Sequence, residues 1–331
     1  MAGNSVVLVT GGAGYIGSHA ALALRDAGVE VVVLDNLSTG RPFLVPEGAP
    51  FVEGDVGDAK LLADTIERYR VGSVLHFAAS LVVSESVGKP LEYYRNNTAN
   101  SLSLIEVCRR SGVERIVFSS TAAVYGIPEV QPVTEDTPTR PINPYGASKL
   151  MTEWMLRDAA AAHGLRYVAL RYFNVAGADP AGRSGESPVL ATHLVNIAAR
   201  VVVGSLPSMK IFGEDYPTPD GTCIRDYIHV SDLASAHLMA LRHLEGGGEN
   251  LTLNCGYGHG YSVKEVLDTV ERVSGAPLKI ERGPRRPGDP PELVAAADRI
   301  RTLLRWTPRH DNLEEIVRSA IEWEQQLPSR S

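Results

Sequence analysis

A tyrosine and a lysine stand four residues apart in the segment Pro144–Leu150, which has the sequence PYGASKL. Four residues make about one helical turn, so Tyr145 and Lys149 share a face if this segment is helical. A phenol with a reference pKa of about 10 is a poor base at neutral pH, but a nearby cation favours its ionised form. The spacing therefore predicts a pair that can take a proton from a substrate alcohol.

A threonine supplies a third polar group. Thr121 follows the predicted strand Arg115–Ser119 at its carboxyl end, where open α/β sheets bind ligands, and its hydroxyl can contact a substrate oxygen. Taken singly, a Tyr–Lys pair is common on solvated helix faces, and a threonine at a strand end often caps a helix. However, all three residues follow a glycine motif in the chain, at residues 10–17. In combination with that motif, Thr121, Tyr145 and Lys149 form a candidate catalytic triad.

Glycines between a predicted strand and a predicted helix indicate a dinucleotide site. Residues 10–17 read TGGAGYIG, with Gly11, Gly14 and Gly17 where the backbone must turn sharply and approach a pyrophosphate. Asp35 follows the second predicted strand, where a carboxylate can bind an adenosine ribose and repel a 2′-phosphate. The motif predicts NAD rather than NADP, the alternative being a tight structural turn.

Short runs rich in Val, Ile and Leu alternate with longer helical patterns in the first half of the chain, which is typical of a parallel sheet covered on both faces. We therefore expect an α/β fold with a Rossmann-like, doubly wound parallel sheet. The predicted strands are Ser5–Thr10, Val29–Leu34, Pro50–Glu53, Ser73–Phe77, Arg115–Ser119 and Tyr167–Tyr172, and the clearest predicted helices are Tyr15–Ala27, Lys60–Arg68, Asn97–Ser111 and Tyr145–His163.

The texture of the sequence changes after Asn174, where residues 177–185 read GADPAGRSG and resemble a loop. We predict an NAD-binding domain over residues 1–176, to which the chain returns at about 223–255. Residues 177–331 are expected to form mainly a smaller, mixed α/β domain that binds the substrate. The basic, proline-rich stretch 282–291 is expected to lie over that substrate.

Composition excludes several classes of function. The 331 residues are 44% hydrophobic and 21% charged, which is ordinary for a globular enzyme. The net charge of −7 offers no electrostatic footprint for nucleic acid. Residues 1–5 lack a basic leader and the apolar run behind them is short, so we expect neither a signal peptide nor a membrane span.

Cysteines and histidines show no metal-binding or disulfide pattern. Cys108, Cys223 and Cys255 are odd in number and far apart, so we expect reduced, mostly buried thiols in a cytoplasmic protein. The histidines lack metal-ligand spacing, and we expect no metal site.

Several longer blocks carry a resemblance to a known family over nearly the whole chain. The chain resembles the UDP-glucose 4-epimerase family, which lies within the extended short-chain dehydrogenase/reductase superfamily. The blocks are Thr10–His19, Lys89–Tyr94, Pro144–Met151, Leu170–Asn174, Ile211–Gly221 and Arg225–Val230.

This resemblance implies a reaction in which UDP-galactose and UDP-glucose are interconverted by inversion at C4, through a transient 4-keto sugar and with tightly bound NAD. Tyr145 would be the base and acid at the sugar 4-hydroxyl. Lys149 would hold the nicotinamide ribose and lower the pKa of the phenol. Thr121 stands where family members have a Ser or Thr that contacts the sugar 4-oxygen.

The positions expected to contact ligands fall into two sets. The expected cofactor contacts are Gly11, Gly14, Tyr15, Ile16, Gly17, Asp35, Asn36, Asp55, Val56, Phe77, Ala78, Ala79, Asn96, Tyr145, Lys149 and Tyr172. The expected substrate contacts are Thr121, Tyr145, Asn174, His193, Leu194, Ile211, Phe212, Arg225, Arg286 and Asp289.

Other interpretations of single residues stay open. Arg225 could instead form a salt bridge with Asp226, and Arg286 could be one charge in a solvated loop. Asp55, which follows the third predicted strand, could meet the adenine, whereas Phe77 and its neighbouring alanines could simply pack in the core.

The sequence departs from the family pattern at three informative places. Residues 192–194, which read THL, replace an asparagine-containing segment at the sugar-nucleotide site, so His193 is expected to contact the substrate. Leu81 replaces a lysine that contacts the cofactor in many bacterial members. Leu293 lies where a bulky tyrosine tends to exclude N-acetylated sugars and a small residue admits them, so a leucine leaves the accepted sugar open. Members are commonly homodimers joined through paired helices, which here would be Asn97–Ser111 and Tyr145–His163.

Two other functions compete with epimerisation. A nucleotide-sugar 4,6-dehydratase or decarboxylase would need a further acid or base, but Ala122 and Ala123 follow Thr121 and cannot move protons. A non-enzymatic nucleotide-sensing protein would be expected to lose part of the triad, which is intact here.

Overall fold

Strands recur along the whole of the chain that the computed structural model describes, residues 6–187, 192–286 and 288–327. In chain order they are β1 (Val6–Thr10), β2 (Val31–Asp35), β3 (Phe51–Glu53), β4 (Val71–His76), β5 (Arg115–Thr121), β6 (Arg166–Tyr172), β7 (Asn174–Ala176), β8 (Met209–Phe212), β9 (Ile224–Arg225), β10 (Tyr227–His229), β11 (Leu251–Cys255), β12 (Tyr261–Ser262), β13 (Ile280–Gly283) and β14 (Glu292–Leu293).

Helices fill most of the connections between these strands. They are α1 (Tyr15–Asp26), α2 (Ala59–Tyr69), α3 (Val83–Gly88), α4 (Pro90–Tyr93), α5 (Asn100–Arg110), α6 (Pro144–His163), α7 (Leu194–Val202), α8 (Val230–Glu245), α9 (Val263–Ser274), α10 (Asp298–Leu303) and α11 (Leu313–Gln326). Two 3₁₀ turns, Pro42–Leu44 and Ala122–Tyr125, and one π-helical turn, Tyr94–Ala99, complete the set.

Seven of the strands form one parallel sheet in the order β11-β6-β5-β4-β1-β2-β3. The order of the strands reverses between β1 and β4, which opens a crevice at the carboxyl ends of these two strands. Helices cover both faces of the sheet, so the predicted doubly wound α/β fold is confirmed.

Side chains that alternate along the strands pack into two separate cores, one on each face of the sheet. On one face, Val7 and Val9 of β1 pack in a cluster with residues of α1 and α8. On the other face, Leu8 of β1 and Phe118 of β5 pack with residues of α2, α5 and α6. Because strand side chains alternate between faces, nearly continuous apolar strands are what a sheet covered on both sides requires.

Most element boundaries differ from the predicted ones by one to three residues, and two of these differences lie near the site. Strand β5 continues to Thr121, which pairs with Tyr172 of β6, so this threonine ends the strand instead of following it. The predicted helix Asn97–Ser111 begins inside the π-helical turn and continues as α5. Ser5, the first residue of the first predicted strand, lies outside the described residues.

The second half of the chain builds three small sheets and also adds to the large one. The small sheets have the strand orders β10-β7, β12-β9-β14 and β13-β8. Within residues 223–255, α8 covers the large sheet, and β11 pairs with β6 and forms one edge of that sheet. The division into two domains stays a prediction.

Two further observations concern the class of protein. Among the described residues, no helix has both the length and the apolar character needed to cross a membrane. Cys108, Cys223 and Cys255 are buried and unpaired, as the sequence predicted.

Shortening a core side chain of the central sheet should destabilise the protein. Leu170 in β6 is fully buried. The Leu170→Ala substitution should lower the free energy of unfolding by about 2–5 kcal/mol, because it removes apolar contacts and leaves a cavity. Urea unfolding of this variant and of Leu303→Ala, whose side chain is exposed on α10, measures the difference. Equal losses in the two variants would contradict the assigned core.

Candidate active site

The turn between β1 and α1 brings backbone close to backbone. Gly11 has a φ of +71°, and a Cβ on it would lie 2.6 Å from the backbone nitrogen of Ala78. A Cβ on Gly17 would lie 2.2 Å from the carbonyl oxygen of Gly11. Helix α1 begins after Gly14 without a side-chain cap, so its first-turn amides face a cradle that suits a pyrophosphate.

Asp35 ends β2 beside this turn. Its carboxylate accepts hydrogen bonds from the backbone N–H groups of Ala13 (3.0 Å) and Leu37 (2.8 Å). Burial raises the pKa of Asp35, while these two hydrogen bonds oppose the rise. Each carboxylate oxygen keeps a lone pair, so the oriented group fits the ribose diol predicted from the sequence.

Most of the other expected cofactor positions follow strands β2, β3 and β4 at their carboxyl ends. The N–H groups of Phe77 and Ala78 both donate to the carbonyl oxygen of Thr10, which ties the end of β4 to the end of β1. The side-chain amide of Asn36 donates to Asp55 (2.9 Å). Val56 is buried, Ile16 packs against the core, Ala79 is half-buried, and Asn96 donates to the Ser80 hydroxyl (2.9 Å).

Helix α6 carries the tyrosine and the lysine into the carboxyl end of β5. Asn143 caps this helix by accepting from the N–H of Gly146 (2.8 Å). The Lys149 ammonium donates to the carbonyl oxygen of Ser119 (2.9 Å). The Thr121 hydroxyl interacts with the Tyr145 phenol and favours a lower pKa there, so the structure brings all three groups of the predicted triad to the same strand end.

Burial dominates the electrostatics of the triad. Burial raises the pKa of Tyr145, and the hydrogen bond from Thr121 opposes that rise. Burial lowers the pKa of Lys149 to about 7, since the ammonium has lost water. The lowering of the phenol's pKa by Lys149 stays a prediction, because the shift found at Tyr145 is upward.

A second cluster holds two cations around one carboxylate. Asp289 lies 3.6 Å from Nη2 of Arg225 and accepts from Nε of Arg286 (2.9 Å). The Arg286 guanidinium also lies over the Phe212 ring, 4.9 Å from its centroid. Arg225 faces Asp289 instead of Asp226, whose carboxylate accepts from the backbone N–H groups of the segment 257–258. The cluster keeps one net positive charge, which suits a diphosphate.

The remaining expected substrate contacts lie on nearby strands and helix ends. Ile211 is buried in β8, and Asn174 begins β7. His193 precedes Leu194 at the start of α7 and contacts Glu186 (2.7 Å). Burial lowers the pKa of His193, but the Glu186 carboxylate more than offsets this, so the net shift is upward.

Two expected cofactor contacts have hydroxyls that are already engaged. The Tyr15 hydroxyl donates to the carbonyl oxygen of Gly177 (2.6 Å), and its ring lies 6.1 Å from the ring of His193. The Tyr172 hydroxyl lies 2.5 Å from the Ser119 hydroxyl. The Tyr15 hydroxyl has thus used its donor, and its oxygen can still accept a hydrogen bond from a ligand.

The positions that depart from the family pattern lie in different surroundings. Leu293 pairs in register with Arg225 and packs against the cluster that contains Ala122 and Phe173. Leu81 is exposed.

Two residues near the site had no predicted role. The carbonyl oxygen of Ser119 accepts a hydrogen bond from the Lys149 ammonium, and its hydroxyl contacts the Tyr172 hydroxyl. The sequence could have indicated this residue, because Ser119 is a polar residue at the end of an apolar strand. Asn97 is buried and clamps the backbone N–H and carbonyl of Ser80 with its side-chain amide. Only the position of Asn97 beside Asn96 could have drawn attention to it.

Comparisons with known proteins agree with this geometry. Residues 7–256 match the model of the family described as the NAD dependent epimerase/dehydratase family. The chain belongs to this family. Since the family is NAD-dependent, the cofactor predicted from the glycine motif and Asp35 is confirmed.

Similar members of the family share almost the full length of the chain. The UDP-glucose 4-epimerase of Azospirillum brasilense is 63% identical over 97% of this chain and 92% of its own length. A UDP-glucose 4-epimerase structure from Brucella ovis in complex with NAD is 46% identical, with a TM-score of 0.93 over 96% of this chain and 98% of that one. One from Bifidobacterium longum with NAD⁺ and UDP is 39% identical, with a TM-score of 0.93 over 98% and 99%. The resemblance inferred from the sequence is confirmed.

Adding one methyl group to the glycine turn should weaken NAD binding. The Gly17→Ala methyl would meet the Gly11 carbonyl oxygen, so the turn or the first turn of α1 must shift. We expect the purified variant to retain less than about a tenth of the normal NAD, a loss of roughly 1.4 kcal/mol or more in binding. The cofactor released by denaturation gives the measurement.

Gly88→Ala is the matched control, because a Cβ there meets nothing within 4 Å. Equal NAD content in the two variants would contradict the close approach assigned to Gly17.

Proposed function

We propose that the protein interconverts UDP-galactose and UDP-glucose by inverting C4 through a transient 4-keto sugar. The observation that carries this proposal is the buried arrangement of Tyr145, Thr121 and Lys149 beside a glycine turn that fits NAD. Relatives that are named UDP-glucose 4-epimerase and match almost the entire chain support it.

Each side chain of the triad has a role in this reaction. Bound NAD would accept the C4 hydride and later return it. The Tyr145 phenolate takes the proton of the sugar 4-hydroxyl and, as the phenol, later gives it back, while the Thr121 hydroxyl would hold the same sugar oxygen. Lys149 would reach the nicotinamide ribose with the donors that Ser119 leaves available.

Inversion further requires that one half of the substrate stay bound while the sugar turns over. The hydride can return to the opposite face of C4 only after the ring has rotated. The cations Arg225 and Arg286 would hold the diphosphate, with Ile211 and Phe212 beside the base. Ala122, Phe173 and Leu293 offer the sugar an apolar surface without directional bonds, which leaves the ring free to rotate.

The competing functions are less well supported. A dehydratase or decarboxylase needs a further acid or base after Thr121, and the next side chains are the methyl groups of Ala122 and Ala123. A nucleotide sensor would not need a phenol and an amine buried side by side, which is costly unless the groups are used.

A single assay separates these functions. Purified protein is given UDP-galactose, and its products are resolved by chromatography. UDP-glucose supports epimerisation, a 4-keto-6-deoxy sugar supports dehydration, and absence of turnover with retained NAD supports the sensor. Initial rates on UDP-galactose, UDP-N-acetylgalactosamine and UDP-arabinose then show which sugars Leu293 admits.

Removing one oxygen atom should stop the reaction without emptying the cofactor site. Tyr145→Phe deletes the proton acceptor but keeps the ring, so kcat should fall by roughly 10²- to 10⁴-fold while bound NAD is retained. Stopped-time assays measure kcat, and the cofactor content of the purified variant measures the bound NAD. Tyr69→Phe on α2 serves as the control, and near-normal turnover by the Tyr145 variant would refute the assigned role.

We further propose that the protein is a homodimer joined through α5 and α6. These helices pack against each other and expose Leu102 and Trp154, with 45% and 46% of each side chain accessible. Large apolar side chains exposed on adjacent helices are typical of an interface between subunits. The unpaired thiols and the proposed substrate also favour a place in cytoplasmic galactose metabolism.

Charge placed on this face should separate the subunits. Trp154→Glu should shift the sedimentation coefficient towards that of a monomer, because a buried, unpaired carboxylate would oppose association. Leu303→Glu alters an equally exposed leucine on α10 and should leave the assembly intact. A dimer that persists unchanged in the Trp154 variant would place the interface elsewhere.

A further inference from the structure

A buried ion pair lies directly behind the reactive groups. Glu153 is one helical turn beyond Lys149 on α6, and Arg171 precedes Tyr172 on β6. The Arg171 guanidinium donates from Nε to one Glu153 oxygen (3.0 Å) and from Nη2 to the other (2.6 Å). Both side chains are buried, so this is a bidentate pair with fixed geometry.

Further hydrogen bonds tie the pair to the strand that carries the catalytic threonine. Ser120, the neighbour of Thr121, donates its hydroxyl to Glu153 (2.5 Å). Arg171 also donates to the Tyr125 hydroxyl (2.9 Å), just beyond the end of β5. Glu153 therefore lies one helical turn from Lys149, and Arg171 is the neighbour of Tyr172 in the chain.

The same network reaches the substrate side. The Tyr125 hydroxyl donates to Asn254 on β11 (2.7 Å), and the Asn254 amide donates to the carbonyl oxygen of Val133 (2.8 Å). The N–H of Val133 donates to the carbonyl oxygen of Val294, which follows Leu293. A continuous path of hydrogen bonds thus joins α6 and β5 to the segment expected to border the sugar.

Apolar packing alone does not fix where α6 sits along the sheet. Leu150 and Leu156 pack into separate clusters, and such contacts tolerate a small slide or rotation because the hydrophobic effect is non-directional. A bidentate ion pair does not tolerate it. We propose that Glu153 and Arg171 are positioning residues that set the register of α6 against β5 and β6 and so hold Tyr145 against Thr121.

This role differs from a contribution to stability. Removing two charges from water is costly, and apolar side chains of similar volume often replace a buried pair without loss of stability. The double variant Glu153→Met with Arg171→Met removes the pair and leaves no charge uncompensated. It should remain folded and still lose the register, which separates positioning from stability.

The inference rests on the proposed epimerisation, so turnover of UDP-galactose is the readout. In the double variant, kcat should fall by roughly 10- to 100-fold, as expected for a displacement of about 1 Å at the reacting groups. The KM should change by less than about threefold, because the nucleotide is held elsewhere. NAD content and the melting temperature monitor the integrity of the fold.

The pH profile of kcat distinguishes positioning from general damage. Thr121 is the group found to lower the pKa of Tyr145, so weakening that bond should move the acid limb of the profile to higher pH. Lys149, one turn along α6, is retained in the variant, as are Tyr93 and Tyr172, whose charged forms interact with that of Tyr145.

A matched control removes another buried pair, Arg200–Glu324 between α7 and α11, in the double variant Arg200→Met with Glu324→Met. This control variant should have the same kcat as the unaltered protein, and the acid limb of its pH profile should not move. If the Glu153 and Arg171 double variant does not fold, Glu153→Gln is judged by the same two readouts.

Three outcomes decide the matter. A lower kcat with a shifted acid limb supports the proposal, whereas an unchanged kcat, or a lower kcat with an unmoved limb, overturns it. Absence of turnover in the unaltered protein would instead refute the proposed epimerisation, so the two failures are distinguishable.

Discussion

Helix α6 buries a phenol and an amine against the carboxyl end of β5, and both polar groups must find partners there because water is excluded. Lys149 finds the Ser119 carbonyl, and Tyr145 finds Thr121. Since each partner belongs to β5, both interactions form in the register of α6 that the proposed Glu153–Arg171 contact holds. The position of the reactive hydroxyl thus follows from the requirement to pair buried polar atoms.

The two halves of the site, which are the glycine turn and the expected sugar position, are built in opposite ways. Around the glycine turn, backbone approaches backbone so closely that a single methyl group would not fit, and the resulting cradle is rigid. At the expected sugar position, Ala122, Phe173 and Leu293 offer apolar surface and few directional bonds. A rigid cofactor site beside a permissive sugar site is the combination that turnover of a tethered ring demands.

Buried charge behind the site connects the catalytic helix and strands to the segment next to Leu293. The Glu153–Arg171 pair links α6, β5 and β6, and through Tyr125 and Asn254 it reaches β11 and the strand beside Leu293. Strand β11 belongs to the second half of the chain but lies at the edge of the large sheet. The second half of the chain therefore contributes an edge strand to the first sheet.

The sequence by itself determined the parallel sheet, the glycine turn, the position of Tyr145 and Lys149 one turn apart on a helix, and the choice of NAD, because these follow from local periodicity and fixed spacing. Only the tertiary structure decided that Thr121 ends β5, that Arg225 faces Asp289 instead of Asp226, and that Ser119, Asn97 and the Glu153–Arg171 pair support the site. These contacts join residues that are far apart in the chain. No local sequence pattern predicts these contacts, since they depend on how the strands and helices pack.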